Sequence, residues 1–154
     1  LGGVFYVAVP LSMMAYLPLL TGKGGWNPSA ILAYIFIIWA NDVFAYLVGV
    51  SVGRHHLYER ISPNKSWEGF FGGIVGAIAM GCLDGSYGLW CCLAAIAAVS
   101  GVLGDLIESM FKRAAGVKDS GNILPGHGGW LDRFDALIFS LPFVVAYLVL
   151  LYIS

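Results

Sequence analysis

Charged side chains in this chain are confined to a few short stretches, and the intervals between them are long and apolar. Residues 1–20 carry no charge at all. Residues 29–50 carry one, Asp42. Residues 88–104 carry none, and residues 134–153 carry only Asp135, near their start. A shorter glycine-rich segment, 67–83, reaches spanning length only if Trp67 and Glu68 begin its helix. A membrane-crossing helix needs about 20 apolar residues, with a range of about 17–25. Backbone polar groups in lipid must be satisfied within the segment, which favours helices. The expectation is an all-α integral membrane protein, a polytopic bundle of about five transmembrane helices in one domain over residues 1–154.

Composition agrees. Of the 154 residues 59% are hydrophobic and 11% charged, against about 45–50% and about 25% in soluble domains. Too few charges remain to cover a water-exposed globule. Disorder is excluded, because it requires low hydrophobicity and high net charge. A net charge of −1 argues against a nucleic-acid partner, whose binder would be basic. Cys82, Cys91 and Cys92 show no metal-binding spacing and read as small apolar residues. The chain is apolar from Leu1 and lacks a basic leader. It is expected to be a fragment of a longer protein.

The loops divide by charge. Lys23 lies in the first, and the turn near residues 84–87 has no cation. The loops at residues 51–68 and 106–133 hold the other seven Lys and Arg. With five spans these two polar loops share a side, and the excess of cations makes it cytoplasmic. Leu1 would then begin inside and Ser154 end outside. Small residues recur every fourth position at Gly69, Gly73, Ala77 and Gly81, and at Ala45, Gly49 and Gly53. Such spacing lets helix backbones approach closely in lipid.

Several acids stand where lipid is expected. Asp42 lies about eight residues inside its span, about 12 Å deep at 1.5 Å per residue. An acid at the helix centre costs about 2.5–3.5 kcal/mol on insertion scales, so a cation, a metal, a water-filled funnel or a hydrogen-bonding neighbour helix must offset it. Ala45, Tyr46 and Gly49 follow on its face and point it toward packed protein. Asp105, Glu108, Ser109 and Lys112 form one stripe if the fourth helix runs past Gly104. Asp132 and Asp135 mirror them at the start of the fifth span. Neighbouring carboxylates repel unless a cation lies between them, and Mg2+ often takes one or two carboxylates with substrate phosphates. A plain salt-bridge network with Arg113 and Arg133 is the competing reading.

Residues 116–129 contain five glycines and Pro125, with Lys118 and His127. Such a loop can present backbone N–H groups to an anion, although no P-loop motif is present. The other polar loop has a turn signal at Ser62-Pro63-Asn64, and Ser66 is placed to cap the next helix. Arg54, Arg60 and Lys65 suit either a phosphate or anionic lipid. His55 and His56 are adjacent and do not share a helical face.

The run from Ser109 to Asp135 resembles the signature of the phosphatidate cytidylyltransferase family. Ser109, Phe111, Lys112-Arg113, Lys118-Asp119, Gly121, Leu124, Pro125, His127-Gly128-Gly129, Asp132-Arg133, Phe134 and Asp135 fit that pattern. Trp130 departs from it, standing where a smaller apolar residue is usual. Asn41-Asp42 and residues 61–69 also resemble the family, so the likeness covers about residues 41–135.

The resemblance implies transfer of CMP from CTP to phosphatidate, giving CDP-diacylglycerol and pyrophosphate. It implies Mg2+, with K+ as a candidate second cation, held by Asp105 and Asp132. Lys112, Lys118 and His127 join these two acids as catalytic candidates. Ser62, Asn64, Lys65, Arg113, Arg133 and Asp42 are the candidate substrate- and phosphate-binding residues. A homodimer and a cytoplasm-facing site in a bacterial-type inner or plasma membrane are further implications. The alternatives are a CTP-dependent polyprenol or phytol kinase and, from another class, an ion-coupled transporter, which would hold its site near the bilayer midplane.

Overall fold

The computed structural model describes residues 2–22, 25–58, 62–84, 87–114, 116 and 131–153. The first apolar stretch is broken. Helix α1 (Gly2–Met13) gives way to a single 3-10 turn (Met14–Tyr16) and a short α2 (Leu17–Thr21). Pro18 sits at the start of α2, where its missing N–H costs nothing. Helix α3 (Ser29–Val52) runs unbroken for 24 residues, and Gly53 ends it in an extended conformation.

A small antiparallel hairpin follows, β1 (His56–Tyr58) with β2 (Ser62–Ser66), paired His56 to Ser66 and Tyr58 to Ser62. It lies in the segment that the sequence marks as a polar loop with a turn signal. The strand pair is held at its base by Glu68. That carboxylate accepts from the backbone N–H of Arg54 and His55 and lies 2.7 Å from His55 Nδ1. The His55 ring, and then backbone N–H groups, hold the Glu68 carboxyl down to about 2.

Helix α4 (Trp67–Gly81) does start at Trp67, and Ser66 caps it by accepting from Gly69 N at 3.1 Å. A cap of this type is worth about 1 kcal/mol. Helix α5 (Tyr87–Ala114) continues through Gly104 as one 28-residue helix, and α6 (Leu131–Ile153) completes the bundle. Among the described residues three helices are long and apolar enough to cross a membrane, in α3, α5 and α6. The 15 residues of α4 extend only about 22 Å at 1.5 Å per residue.

The small-residue stripe is an interhelical seam. A Cβ at Gly69 would lie 2.7 Å from the Ala45 carbonyl oxygen, and one at Gly73 would lie 2.6 Å from Asn41 Oδ1. The first half of α4 therefore lies backbone to backbone on α3. At the far end Gly81 packs on the Trp90 carbonyl of α5.

The core lies between α3, α5 and α6, with Tyr34, Ile37, Leu93, Ala97, Leu141 and Val144 buried. Tyr34 donates to the Leu137 carbonyl at 2.9 Å and shares a hydrogen bond with Ser140. That polar clasp fixes α3 against α6.

Cys82 and Cys91 are joined as a disulfide across the α4–α5 turn, with Cα atoms 5.8 Å apart. This corrects their reading as small apolar residues. The turn brings together two cysteines nine positions apart at the end of the bundle away from the hairpin. Cys92 is free.

Candidate functional site

Four elements bring their polar groups together at the hairpin end of the bundle. Helix α3 contributes Asp42, strand β2 Lys65, helix α5 Asp105 and helix α6 Asp135. Lys65 reaches this centre because Ser66 turns directly into α4, which fixes the end of the strand against α3. Its ammonium donates to the Asp105 carboxylate across 40 positions of chain. Both side chains keep partial solvent access.

Asp105 stands on the stripe expected of α5. Ser109 donates to its other carboxylate oxygen at 3.4 Å. One turn on, Glu108 is 4% exposed and lies 3.3 Å from the Lys112 ammonium. Asp135 is also buried, and its carboxylate accepts from Ala136 N at 2.6 Å. Helix α6 approaches α5 this closely because α5 is glycine at 104, where a Cβ would lie 3.2 Å from the Asp135 carbonyl oxygen.

Two cavities adjoin this centre. The first, of about 590 Å³, combines Asp42, Lys65, Asp105 and Asp135 with an apolar wall of Leu32, Phe36, Trp39 and Phe134. The second, of about 350 Å³, lies between α3, the hairpin and α4. Its wall includes Asn41, Asp42, Tyr46, Ser62, Lys65 and Phe70. Asp42 lines both cavities, its carboxyl close to Lys65 and Asp105.

Of the residues singled out in the sequence, the structure thus brings together Asp42, Ser62, Lys65 and Asp105. Lys112 is engaged by Glu108, and Arg113 is exposed at the end of α5. The side chains of Asn64, Asp132 and Arg133 lie outside the described residues, as do Lys118 and His127 entirely. The pairing of Asp105 with Asp132 falls there too. Among the described residues no three His, Cys, Asp or Glu side chains stand close enough to hold a metal.

Asp135 was not among the candidate site residues, although it lines the first cavity. The signal was present, because it follows Asp132 by three positions and shares its helical face. Asn41 and Ser66 also stand in the wall of the second cavity; the sequence marks them only by a family likeness and as a cap.

Residues 2–151 match the model of the cytidylyltransferase family. The chain belongs to that family. Its relatives include the phosphatidate cytidylyltransferase of Staphylococcus epidermidis, 50% identical over 119 residues, with 73% of this chain and 46% of the relative covered. The phosphatidate cytidylyltransferase of Bacillus subtilis is 48% identical over 124 residues with the same coverage. That of Staphylococcus aureus is 50% identical over 119 residues, again covering 73% and 46%. The chain spans about half the length of the curated relatives it matches. Family membership bears out the resemblance carried by the Ser109–Asp135 run.

Proposed function

We propose that this chain carries the catalytic part of a phosphatidate cytidylyltransferase. A phosphate oxygen of phosphatidate attacks the α-phosphorus of CTP. The bond from that phosphorus to the bridging oxygen breaks, and its electron pair leaves with pyrophosphate. The product is CDP-diacylglycerol. The observation that carries this reading is the meeting of Lys65, Asp42, Asp105 and Asp135 at the head of a cavity whose remaining wall is apolar. That combination suits an anionic headgroup attached to acyl chains. Relatives about half identical to this chain bear the name of the same activity.

The attacking phosphate is already ionised at neutral pH, so positioning and charge neutralisation are the main demands. Lys65 can neutralise phosphate oxygens once they draw it from Asp105. Lys112, Arg113, Lys118 and Arg133 are the further cations proposed for the phosphates, and His127 orients one of them. Asp42 holds the inner end of the site polar.

The carboxylate oxygens of Asp105 are the hard donors that Mg2+ prefers, and Asp105 with Asp132 would hold it, with K+ as the proposed second cation. When bound, the metal would neutralise charge on the transferring phosphate. The site would face the cytoplasm, where CTP is found, and the protein would act as a homodimer.

The test is CTP-dependent turnover of phosphatidate by the full-length protein, with and without Mg2+. Formation of CDP-diacylglycerol only when phosphatidate, CTP and Mg2+ are all present is expected. Phosphorylation of an isoprenoid alcohol in its place would refute the reading.

A further inference from the structure

Lys65 reaches Asp105 from a strand that has little of its own to hold it still. A two-stranded hairpin is marginal by itself in water, and the register here shifts between the His56–Ser66 and Tyr58–Ser62 pairs. Something else must fix the end of β2. We propose that Glu68 is a positioning residue, which sets the direction of Lys65 by tying the foot of the hairpin to the first turn of α4. The role rests on the cytidylyltransferase reading and deepens it.

The tie is made largely of backbone. Arg54 and His55 lie between the end of α3 and the start of β1. Their N–H groups both donate to one Glu68 carboxylate oxygen, at 3.2 and 3.3 Å. The other oxygen lies 2.7 Å from His55 Nδ1. In return Trp67 N donates to the His55 carbonyl at 2.9 Å. Residues 54–55 are thus bound to residues 67–68 from both sides. Glu68 stands in the first turn of α4, where a negative charge is favoured, and hydrogen bonds to an ionised acceptor are the stronger kind. The end of α3 closes on the same knot, since a Cβ at Gly53 would lie 2.7 Å from the Ser66 hydroxyl.

Lys65 adjoins Ser66, so any shift of this knot passes straight to its Cα. Glu68 itself lines neither of the two cavities at the site, and therefore acts through Lys65 and not on a substrate. In the proposed reaction the ammonium must exchange the Asp105 carboxylate for a phosphate oxygen and return. A misplacement of about 1 Å at such a group costs about a hundredfold in rate.

The test is a cycle of variants in the full-length protein. Glu68→Ala should lower kcat/KM for phosphatidate by about tenfold to a hundredfold. Glu68→Gln keeps an acceptor for the two N–H groups and should recover most of that loss. In a Lys65→Met background Glu68→Ala should change the rate by less than about twofold, because residues that act as a unit are not additive. Glu68→Asp, with a carboxylate one methylene shorter, serves the same cycle if Glu68→Ala does not fold. An equal loss in both backgrounds would show that Glu68 merely holds the fold, and would overturn the proposal. A second readout needs no turnover. Modification of Lys65 by an amine-reactive ester, followed by peptide mass spectrometry, should be several-fold faster in Glu68→Ala, while Lys112 reacts as before. An unchanged Lys65 rate would overturn the proposal. Faster Lys65 modification in a protein that makes no CDP-diacylglycerol would overturn the activity reading and leave the positioning role standing.

Discussion

Lys65 and Asp105, from the end of a two-stranded hairpin and from the middle of a transmembrane helix, form an ion pair at the inner end of the candidate site. The pair joins the one β element among the described residues to the helix bundle. Each partner also lines both neighbouring cavities. With side-chain exposures of 28% and 37%, its contribution to stability is small, at most about 1 kcal/mol after solvent screening. Its chemical weight is larger, because a cation and a carboxylate here can each be handed to a substrate or an ion.

The first prediction follows from that imbalance. Lys65→Met and Asp105→Asn should each lower turnover by about a hundredfold or more, the usual cost of removing one group that stabilises developing charge. The melting temperature in detergent should fall by no more than about 4 °C, as expected for a change near 1 kcal/mol. Lys65→Arg should recover part of the lost rate. Steady-state kinetics and a thermal melt on the same preparations check all three. A large fall in melting temperature with little loss of rate would make the pair structural.

The seam between α3 and α4 gives a stability prediction with its own control. An added methyl at Gly73 meets Asn41 Oδ1 at 2.6 Å and the Asn41 carbonyl at 2.9 Å, whereas one at Gly88 meets nothing within 4 Å. Gly73→Ala should destabilise by about 1–3 kcal/mol, the cost of overpacking. Gly88→Ala should be neutral or stabilising by up to about 1 kcal/mol, because alanine favours the helix. Denaturation of the two variants in matched detergent measures the difference. Because Asn41 adjoins Asp42, Gly73→Ala should also slow turnover.

Parts of this architecture could be read from residue order, and the exceptions have physical causes. The polar stripe Asp105, Glu108, Ser109 and Lys112 required α5 to continue past Gly104, and it does. Ser66 as a cap was legible because its hydroxyl precedes an apolar run at the right spacing. The hairpin was not legible. Residues 62–66 contain Pro63 and lack alternating apolar positions, so no period of two marks them as a strand. The disulfide was hidden because Cys82 and Cys91 sit in apolar surroundings, where cysteine ordinarily packs as a small hydrophobe. Asp135 lines the first cavity, and its spacing three positions after Asp132 puts it on the same helical face. Where Lys65 points depends on strand pairing as well as on the Ser66 cap, and the pairing has no signal in the residues around it.

Sidedness can be checked with the disulfide as an internal marker. About 22 Å of helix at 1.5 Å per residue separates Trp67, beside the hairpin, from the Cys82–Cys91 link at the other end of α4. If the hairpin faces the cytoplasm, a cysteine introduced at Arg54 should react with a membrane-impermeant maleimide only after the cytoplasmic face is opened. A cysteine introduced at Asp84 should react in intact cells. Cys82 and Cys91 should resist labelling until a reductant is added, as befits a bond that persists in an oxidising compartment. The reverse labelling pattern would put the site on the face away from CTP.

Asp42 offers the sharpest separation of catalytic from structural roles. It lies in the middle of α3, yet it opens into both cavities. The nearby Lys65 ammonium offsets part of the cost of an acid at this depth. Asp42 also lies within electrostatic reach of Asp105. In the proposed reaction its negative charge would help decide whether Lys65 stays on Asp105 or turns to an incoming phosphate. Asp42→Asn keeps the shape and most hydrogen-bonding capacity but removes that charge. Turnover should fall by about a hundredfold, on the scale of a lost electrostatic contribution at a reacting centre. Stability should move by no more than about 1 kcal/mol, because the amide matches the carboxylate in size. Asp42→Leu should be just as inactive, and since it buries no unpaired charge its melting temperature should hold or rise. Full activity in Asp42→Asn, or a melting temperature that collapses with it, would return Asp42 to the role of a simple bond between helices.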